Sequence, residues 1–301
     1  MRYRITHRTA YTGQEPVSIG HNKAWLEPRP VVHQQLESFQ LKIDPVPSVI
    51  NHQVDYFGNP VALFSFNEGY HELDVTAMSY LKVVPPGDDI LNGSRLGFVS
   101  WESVRDTIRR HELPDTLQAF EFTFASPGIS WTPEMNAWAR QSFPSGRSMF
   151  EAVLDLTHRI HTEFAYDSKA TTVATPVQDV FRIRRGVCQD FAHLQVALLR
   201  SMGLAARYVS GYLRTIPPPG RPRLIGADAS HAWVSVYIVK DDSPGIWVDL
   251  DPTNDRLCST DHVTLAWGRD YNDVPPLNGV IIGGGKHSLS VSVDVLPLER
   301  D

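Results

Sequence analysis

The sequence predicts an α+β protein in which an all-β domain, a sandwich or a barrel, precedes a domain of helices followed by strands. Three observations support this prediction. Apolar and polar residues alternate up to about residue 84, a helical period follows, and alternation returns after residue 205. A segment rich in proline, glycine and aspartate begins at Pro85, which is typical of a linker. We therefore predict domains over residues 1–85 and 86–301.

The first domain consists of short strands separated by turn residues. One strand face at a period of two is formed by Tyr3, Ile5, His7, Thr9 and Tyr11. Further alternating segments are 36–43, 61–66 and 72–84. Proline, glycine and asparagine residues between these segments predict turns. Several short strands at this spacing indicate a small β sandwich or barrel.

Start and stop signals define the helices of the second domain. Thr132 followed by Pro133 is an N-cap with proline at the first helical position. Segments 148–151 and 175–178 have the spacing of capping boxes. We predict helices from Ser148 to about Phe164, from Pro176 to Gly186 and from Cys188 to Gly203, and strands over 206–212, 231–239, 246–250 and 289–295.

Composition and charge exclude several classes of protein. The 301 residues carry 28 Lys and Arg against 34 Asp and Glu, a net charge of −6, whereas nucleic-acid-binding proteins usually carry a basic excess. We therefore expect no nucleic-acid partner. No apolar run reaches ~18 residues and the N-terminus lacks the apolar core of a signal peptide, so we expect a cytoplasmic protein without membrane association. Two cysteines cannot build a disulfide framework.

Cys188 is the first candidate for a catalytic residue. It follows Gly186 and Val187 at the predicted start of a helix. The free amide groups and the dipole at a helix N-terminus stabilise a thiolate, and the same amides can bind an oxyanion. The alternative is a buried structural cysteine, the ordinary role of an isolated thiol. Cys258 lies in a loop-like segment without this setting, and we predict a structural role for it.

A nucleophilic thiol needs a base, and His231 begins a predicted strand downstream of Cys188. Asp249 and Asp251 share one face of the next strand, which ends at a proline directly after Asp251. A turn at 241–245 makes the two strands a hairpin, so either carboxylate can approach the imidazole and hold its tautomer. The order of cysteine at a helix start, histidine at a strand start and aspartate on the next strand predicts a catalytic triad.

Three segments resemble the core motifs of the transglutaminase-like superfamily. They are Gly-Val-Cys-Gln-Asp-Phe-Ala at 186–192, His-Ala-Trp-Val at 231–234 and Asp-Pro-Thr at 251–253. Segment 203–212 is similar to the part of that family that follows the nucleophile helix. Segments 21–26, 55–59 and 268–276 resemble a bacterial branch in which a β domain precedes the core. The resemblance implies a papain-like α+β fold for the second domain, with the motif core at about 148–255.

The resemblance also implies roles for individual residues. Cys188 would be the nucleophile, His231 the general base and acid, and Asp251 the orienting carboxylate, because the family's acid directly precedes Pro-Thr. An upstream side chain often completes the oxyanion hole in this family, and Tyr166 is the candidate because it carries a donor. Candidate residues of the substrate cleft are Gln189, Tyr208 and Trp233, although aromatic residues at such positions more often belong to the core.

The expected activity is cysteine-dependent acyl transfer on amide bonds, with a thioester that an amine or water resolves. The expected partner is a protein or peptide substrate that carries glutamine or other amide groups. Two alternatives remain open: a papain-like cysteine protease, peptidase or amidase, and a non-catalytic binding module that retains the fold. We expect no cofactor. We also expect no metal, since His158 and His161 lack further ligands and no acidic loop resembles a calcium site.

Overall fold

The computed structural model describes residues 1–87, 99–111, 113–215, 229–240 and 243–298. Of the predicted linker and hairpin turn, residues 88–89 and 241–242 lie outside these ranges. Within them, no helix has both the length and the apolar character needed to cross a membrane. The predicted α+β class and the strand-rich N-terminal part are confirmed.

The first sheet contains seven strands and is built around one long strand, β1. Its strands are β1 (Arg2–Ala24), β2 (Gln34–Asp44), β3 (Val49–Val54), β4 (Pro60–Phe66), β5 (Tyr70–Val83), β13 (Leu277–Gly283) and β14 (His287–Leu298). The order β2-β5-β1-β4-β3 is antiparallel throughout. The first half of β1 pairs with β5 and β14, and its second half pairs with β4 and β13.

Residues 277–298 belong with the first sheet rather than with the second domain, to which the sequence assigned them. Both β13 and β14 pair with β1, which is long enough to accept them in succession. Val293 and Val295 of β14 are buried in the same apolar cluster as Tyr3 and Ile5 of β1. Burial of this shared face explains why the last strand returns to the beginning of the chain.

The second part of the chain contains six α-helices and a five-stranded sheet among the described residues. The helices are α1 (Trp101–Arg110), α2 (Thr116–Glu121), α3 (Pro133–Ala139), α4 (Met149–Glu163), α5 (Val177–Ile183) and α6 (Cys188–Ser201). The strands are β6 (Ala165–Tyr166), β7 (Arg185–Gly186), β8 (Ala206–Leu213), β9 (Ala229–Lys240), β10 (Ser243–Asp251), β11 (Arg256–Leu257) and β12 (His262–Gly268). The five-stranded sheet has the antiparallel order β11-β10-β9-β8-β12, and β6 pairs with β7 in parallel.

Local sequence signals account for most helix boundaries. The Thr132 hydroxyl accepts a hydrogen bond from the Met135 N–H at 3.2 Å, as the predicted N-cap requires. Ser148 is the N-cap residue of α4, but its side chain makes no capping bond. Helix α5 ends at Ile183 and not at Gly186, because Arg184 adopts a left-handed conformation with φ 58° and the chain then enters β7.

The first sheet packs against the second part of the chain through a shared core and several polar bonds. One apolar cluster runs from Tyr3 through the helices to β9, and α6 lies almost wholly buried against β8 and β9. The ring of His7 is 2.9 Å from the Tyr212 hydroxyl, and the Tyr3 hydroxyl donates to the Thr260 carbonyl at 3.0 Å. These contacts fix the first sheet beside the start of α6.

Candidate active site

Cys188 occupies the first position of helix α6 and is partly exposed. The carboxylate of Asp190 accepts hydrogen bonds from the Val187 N–H at 2.8 Å and from the Thr171 hydroxyl at 2.6 Å, which fixes the entry of the helix. A Cβ atom on Gly186 would lie 2.7 Å from an oxygen of Asp190, so this close approach requires glycine. The thiol is thereby held at a helix N-terminus, where a negative charge is favoured.

His231 lies near the start of β9 and contacts the end of β10. Its Nε2 atom is 2.7 Å from Oδ2 of Asp251, and both residues are buried. Burial lowers the pKa of His231, but hydrogen bonds to Asp251 and Cys188 outweigh it and raise the pKa to about 9. Since Nε2 faces the carboxylate, Nδ1 is the ring nitrogen that remains for the thiol. The three triad candidates therefore lie together.

The carboxylate of Asp251 is surrounded by donors. Asn254 donates its side-chain amide to Oδ2 at 2.7 Å, and the Thr253 N–H donates to Oδ1 at 2.9 Å. Burial raises the pKa of Asp251, but the hydrogen bonds from His231 and His262 outweigh it and hold the pKa below its ordinary value. Asp251 thus stays ionised and favours the imidazolium form of His231.

His262 is a member of the site that sequence reasoning missed. Its Nε2 is 3.1 Å from Oδ2 of Asp251, and its Nδ1 accepts from the Ser259 N–H at 3.4 Å. The proton of the neutral ring therefore resides on Nε2 and is donated to the carboxylate. Burial lowers the pKa of His262, although Asp251 opposes this shift, so the ring is neutral at pH 7. The only signal in the sequence is a histidine at the start of an alternating apolar segment.

The same three side chains form the one group of potential metal ligands found among the described residues. The ligand atoms of His231, Asp251 and His262 all lie within 4.8 Å of one another. However, both Nε2 atoms are already within hydrogen-bonding distance of Oδ2 of Asp251, at 2.7 and 3.1 Å. We therefore interpret the group as a hydrogen-bonded network.

Tyr166, the predicted oxyanion donor, lies on β6 next to the nucleophile loop. It pairs with Gly186, two residues before Cys188, and its side chain is 61% exposed. Partial desolvation and the nearby Cys188 and Asp190 raise the pKa of Tyr166, so the hydroxyl keeps its proton and can donate. The ring packs edge-on against Phe191 and lies outside the lining of the pocket at Cys188.

A pocket of about 280 Å³ opens in front of Cys188 and His231. Two of the predicted cleft residues, Gln189 and Tyr208, line this pocket. The first sheet supplies another part of the lining, through β1, β13 and β14. A reacting carbonyl in this pocket would meet both the thiol and the imidazole.

The third predicted cleft residue, Trp233, does not line this pocket. It is fully buried, donates its indole N–H to Asp249 at 3.2 Å and packs against His262. It faces a different cavity of about 780 Å³. Although His231 and Trp233 share a face of β9, two residues advance a strand by ~6.6 Å, which carries the indole away from Cys188.

The arrangement is equipped for nucleophilic attack on a carbonyl carbon. Cys188 supplies sulfur at a helix N-terminus, His231 can donate or accept a proton, and Asp251 orients the imidazole. Of the two aspartates left open by the sequence, Asp251 contacts His231, whereas Asp249 contacts the indole of Trp233.

Comparison with known proteins gives matches along the whole chain. A family model for the bacterial transglutaminase-like N-terminal region matches residues 3–82, and one for the transglutaminase-like superfamily matches residues 136–252. An uncharacterized protein of Mycobacterium tuberculosis is 41% identical over 301 residues, which cover 100% of this chain and 94% of that protein.

Two further matches are informative. A protein-glutamine gamma-glutamyltransferase of Pseudomonas aeruginosa is 32% identical over 117 residues, covering 38% of this chain and 17% of that protein. The crystal structure of "a Putative Cysteine Protease from Cytophaga hutchinsonii" superimposes with a TM-score of 0.76 at 21% identity, covering 100% of this chain and 92% of that one, which shows a common fold. Matched by both family models and by a 41% identical relative over its full length, the chain belongs to the transglutaminase-like superfamily, in the bacterial group with this N-terminal region.

Proposed function

We propose that this protein is a cysteine-dependent acyltransferase that acts on the side-chain carboxamide of peptide-bound glutamine. The observation that carries the proposal is the hydrogen-bonded pair of His231 and Asp251 beside Cys188 at a helix N-terminus. The similarity of the core to a protein-glutamine gamma-glutamyltransferase supports glutamine as the acyl donor.

In the first half of the reaction, the Cys188 thiolate attacks the carboxamide carbon and forms a C–S bond. Amide groups at the start of α6 face the developing oxyanion, and Tyr166 is the candidate for a further donor. The C–N bond then breaks as the imidazolium of His231 gives its proton to the leaving nitrogen. Ammonia departs, and a thioester and a neutral imidazole remain.

In the second half, a primary amine attacks the thioester carbon and gives its proton to His231. The C–S bond breaks, which restores the thiolate and the imidazolium, and the product is a new amide. Asp251 keeps its charge throughout, because its surrounding donors hold its pKa low. Water in place of the amine would give glutamate, so hydrolysis and transfer share the same intermediate.

Apolar side chains in the lining of the pocket support transfer over hydrolysis. Leu277, Leu289 and Val291 of the first sheet line the same pocket as Cys188, and apolar side chains do not hold a water molecule by hydrogen bonds. An amine that arrives on an alkyl chain can contact Leu277, whereas water gains nothing from an apolar side chain.

A glutamine peptide incubated with a dansylated alkylamine tests the proposal. We expect release of ammonia together with covalent incorporation of the amine, and loss of both in Cys188→Ala. Release of ammonia with glutamate as the sole product would replace transfer by deamidation, and cleavage of the peptide backbone would favour a protease. The absence of any Cys188-dependent product would favour the binding module.

A further inference from the structure

The first sheet forms a wall of the catalytic pocket as well as packing on the core. In the pairing of β1 with β14, Thr9 lies opposite Val291 and Tyr11 opposite Leu289. Since side chains on a strand alternate between faces, these four residues share one face, and all four line the pocket at Cys188.

The same face is buried at one end and open at the other. Towards the C-terminal end of β14, Val293 and Val295 are buried in the core shared with the second part of the chain. Leu289 and Val291 on the same face lie outside that core, and they are 55% and 50% exposed. The sheet therefore presents an exposed apolar surface at the point where it meets the pocket of the nucleophile.

Strand β14 is also an edge of the sheet. Over residues 287–293, the ladder partner of β14 among the described strands is β1, and no described strand pairs with its other edge there. An unpaired strand edge offers backbone N–H and C=O groups at the spacing of an extended chain. Because Leu289 and Val291 of this strand line the pocket of Cys188, we assign the substrate as the occupant of this edge.

The wall is electrically neutral. Its titratable members are His7 and Tyr11. Burial lowers the pKa of His7 to about 4 and raises the pKa of Tyr11, so both side chains are uncharged at pH 7. The two ring nitrogens of His7 are bonded to the Tyr212 and Thr9 hydroxyls, at 2.9 and 3.1 Å. A charged side chain placed on this wall would lose part of its hydration, and the first-sheet residues that line the pocket include no carboxylate, lysine or arginine to pair with it.

We propose that the acyl donor binds as an extended peptide along β14, with its glutamine carboxamide in the pocket and apolar flanking residues on Leu289 and Val291. This inference rests on the proposed function and names its substrate class: glutamine flanked by apolar rather than charged residues. Backbone pairing with the strand edge would supply affinity, and the wall would supply the preference between sequences.

The test uses covalent labelling of Cys188, which requires no turnover. The probe is a pentapeptide whose central glutamine carries a chloromethyl ketone in place of the carboxamide, so that the thiolate displaces chloride and forms a C–S bond. One probe has leucine and valine flanks, and a second has glutamate flanks. Iodoacetamide, which is too small to reach the wall, measures the intrinsic reactivity of the thiol.

The wall variant is the double substitution Leu289→Thr and Val291→Thr, which places a β-branched residue at both positions of the strand and adds no charge. The matched control is Val280→Thr and Ile282→Thr on β13, where the side chains are 72% and 60% exposed and lie outside the pocket. Each rate with a peptide probe is divided by the rate with iodoacetamide for the same variant, which removes any change in the thiol itself.

In the wild type we expect the leucine–valine probe to react at least about tenfold faster than the glutamate probe, relative to iodoacetamide. The wall variant should lose most of this preference, and the β13 control should keep it. Equal preference in the wall variant and the control, or no preference in the wild type, would overturn the inference. A preference between the probes without turnover of any glutamine peptide would contradict the proposed function but support the inference about the wall. Normal ammonia release from the apolar peptide by the wall variant would contradict the inference about the wall but support the proposed function.

Discussion

Replacing His262 tests whether Asp251 depends on a donor that lies outside the three sequence motifs. His262→Leu keeps a similar volume but removes the Nε2 donor 3.1 Å from the carboxylate. A hydrogen bond to a charged group contributes about 1.5–3 kcal/mol, so we expect the free energy of unfolding to fall by ~2 kcal/mol. His262→Gln is the matched control, because its amide can donate to the same oxygen, and it should recover at least half of the loss.

The pH dependence of unfolding gives a second readout of the same substitution. Because the pKa of Asp251 lies below its ordinary value, its contribution to stability is present above about pH 3.9 and is lost as the pH falls. Loss of the His262 donor moves the pKa of Asp251 back towards its ordinary value. Urea titrations at several pH values should therefore show that, on acidification, the free energy of unfolding of His262→Leu begins to fall at a higher pH than that of the wild type. Equal stability of the two proteins at every pH would refute the reasoning.

Three further substitutions give separate tests. Gly186→Ala places a Cβ 2.7 Å from an oxygen of Asp190. We therefore expect the free energy of unfolding in denaturant titrations to fall by about 1–3 kcal/mol and Cys188 to be labelled more slowly. Unchanged stability would contradict the close approach. Tyr166→Phe should lower glutamine turnover by about 10²-fold but leave iodoacetamide labelling unchanged, because alkylation forms no oxyanion; an equal loss in both assays would contradict a donor role. Asp251→Asn removes a partner that raises the pKa of His231 to about 9. The stability that this ion pair contributes is fully present below about pH 6.5 and is lost as the pH rises through 9. The stability difference from the wild type should therefore shrink above pH 9, and a difference independent of pH would contradict the ion pair.

The sequence predicted the elements whose signals are local. The N-cap at Thr132 and the start of a helix at Cys188 depend on neighbouring residues alone, and the structure has both. The three triad candidates were identified because each has its own local setting and because the motifs resemble a known family. The strands β8, β9 and β10 appear within a few residues of their predicted bounds.

The features that sequence reasoning missed depend on residues far apart in the chain. The alternation over 289–295 predicts a strand but not its partner, since β14 pairs with β1 more than 270 residues earlier. Likewise, His262 reaches Asp251 only because β12 and β10 belong to one sheet. Trp233 was a cleft candidate as an aromatic residue, with the core as the alternative, and the structure buries it beside a different cavity.

The labelling rate of Cys188 by iodoacetamide across pH, in the wild type and in His231→Ala, tests the central claim most directly. The claim is that His231 and Asp251 hold the thiol as a thiolate beside an imidazolium. We predict that the wild-type rate persists down to about pH 6, where an unperturbed thiol of pKa ~8.5 is only about 0.3% ionised, and that His231→Ala loses up to about 300-fold at that pH. Rates that rise together through ~8.5 in both proteins would contradict an activated nucleophile and would favour the binding module over the enzyme.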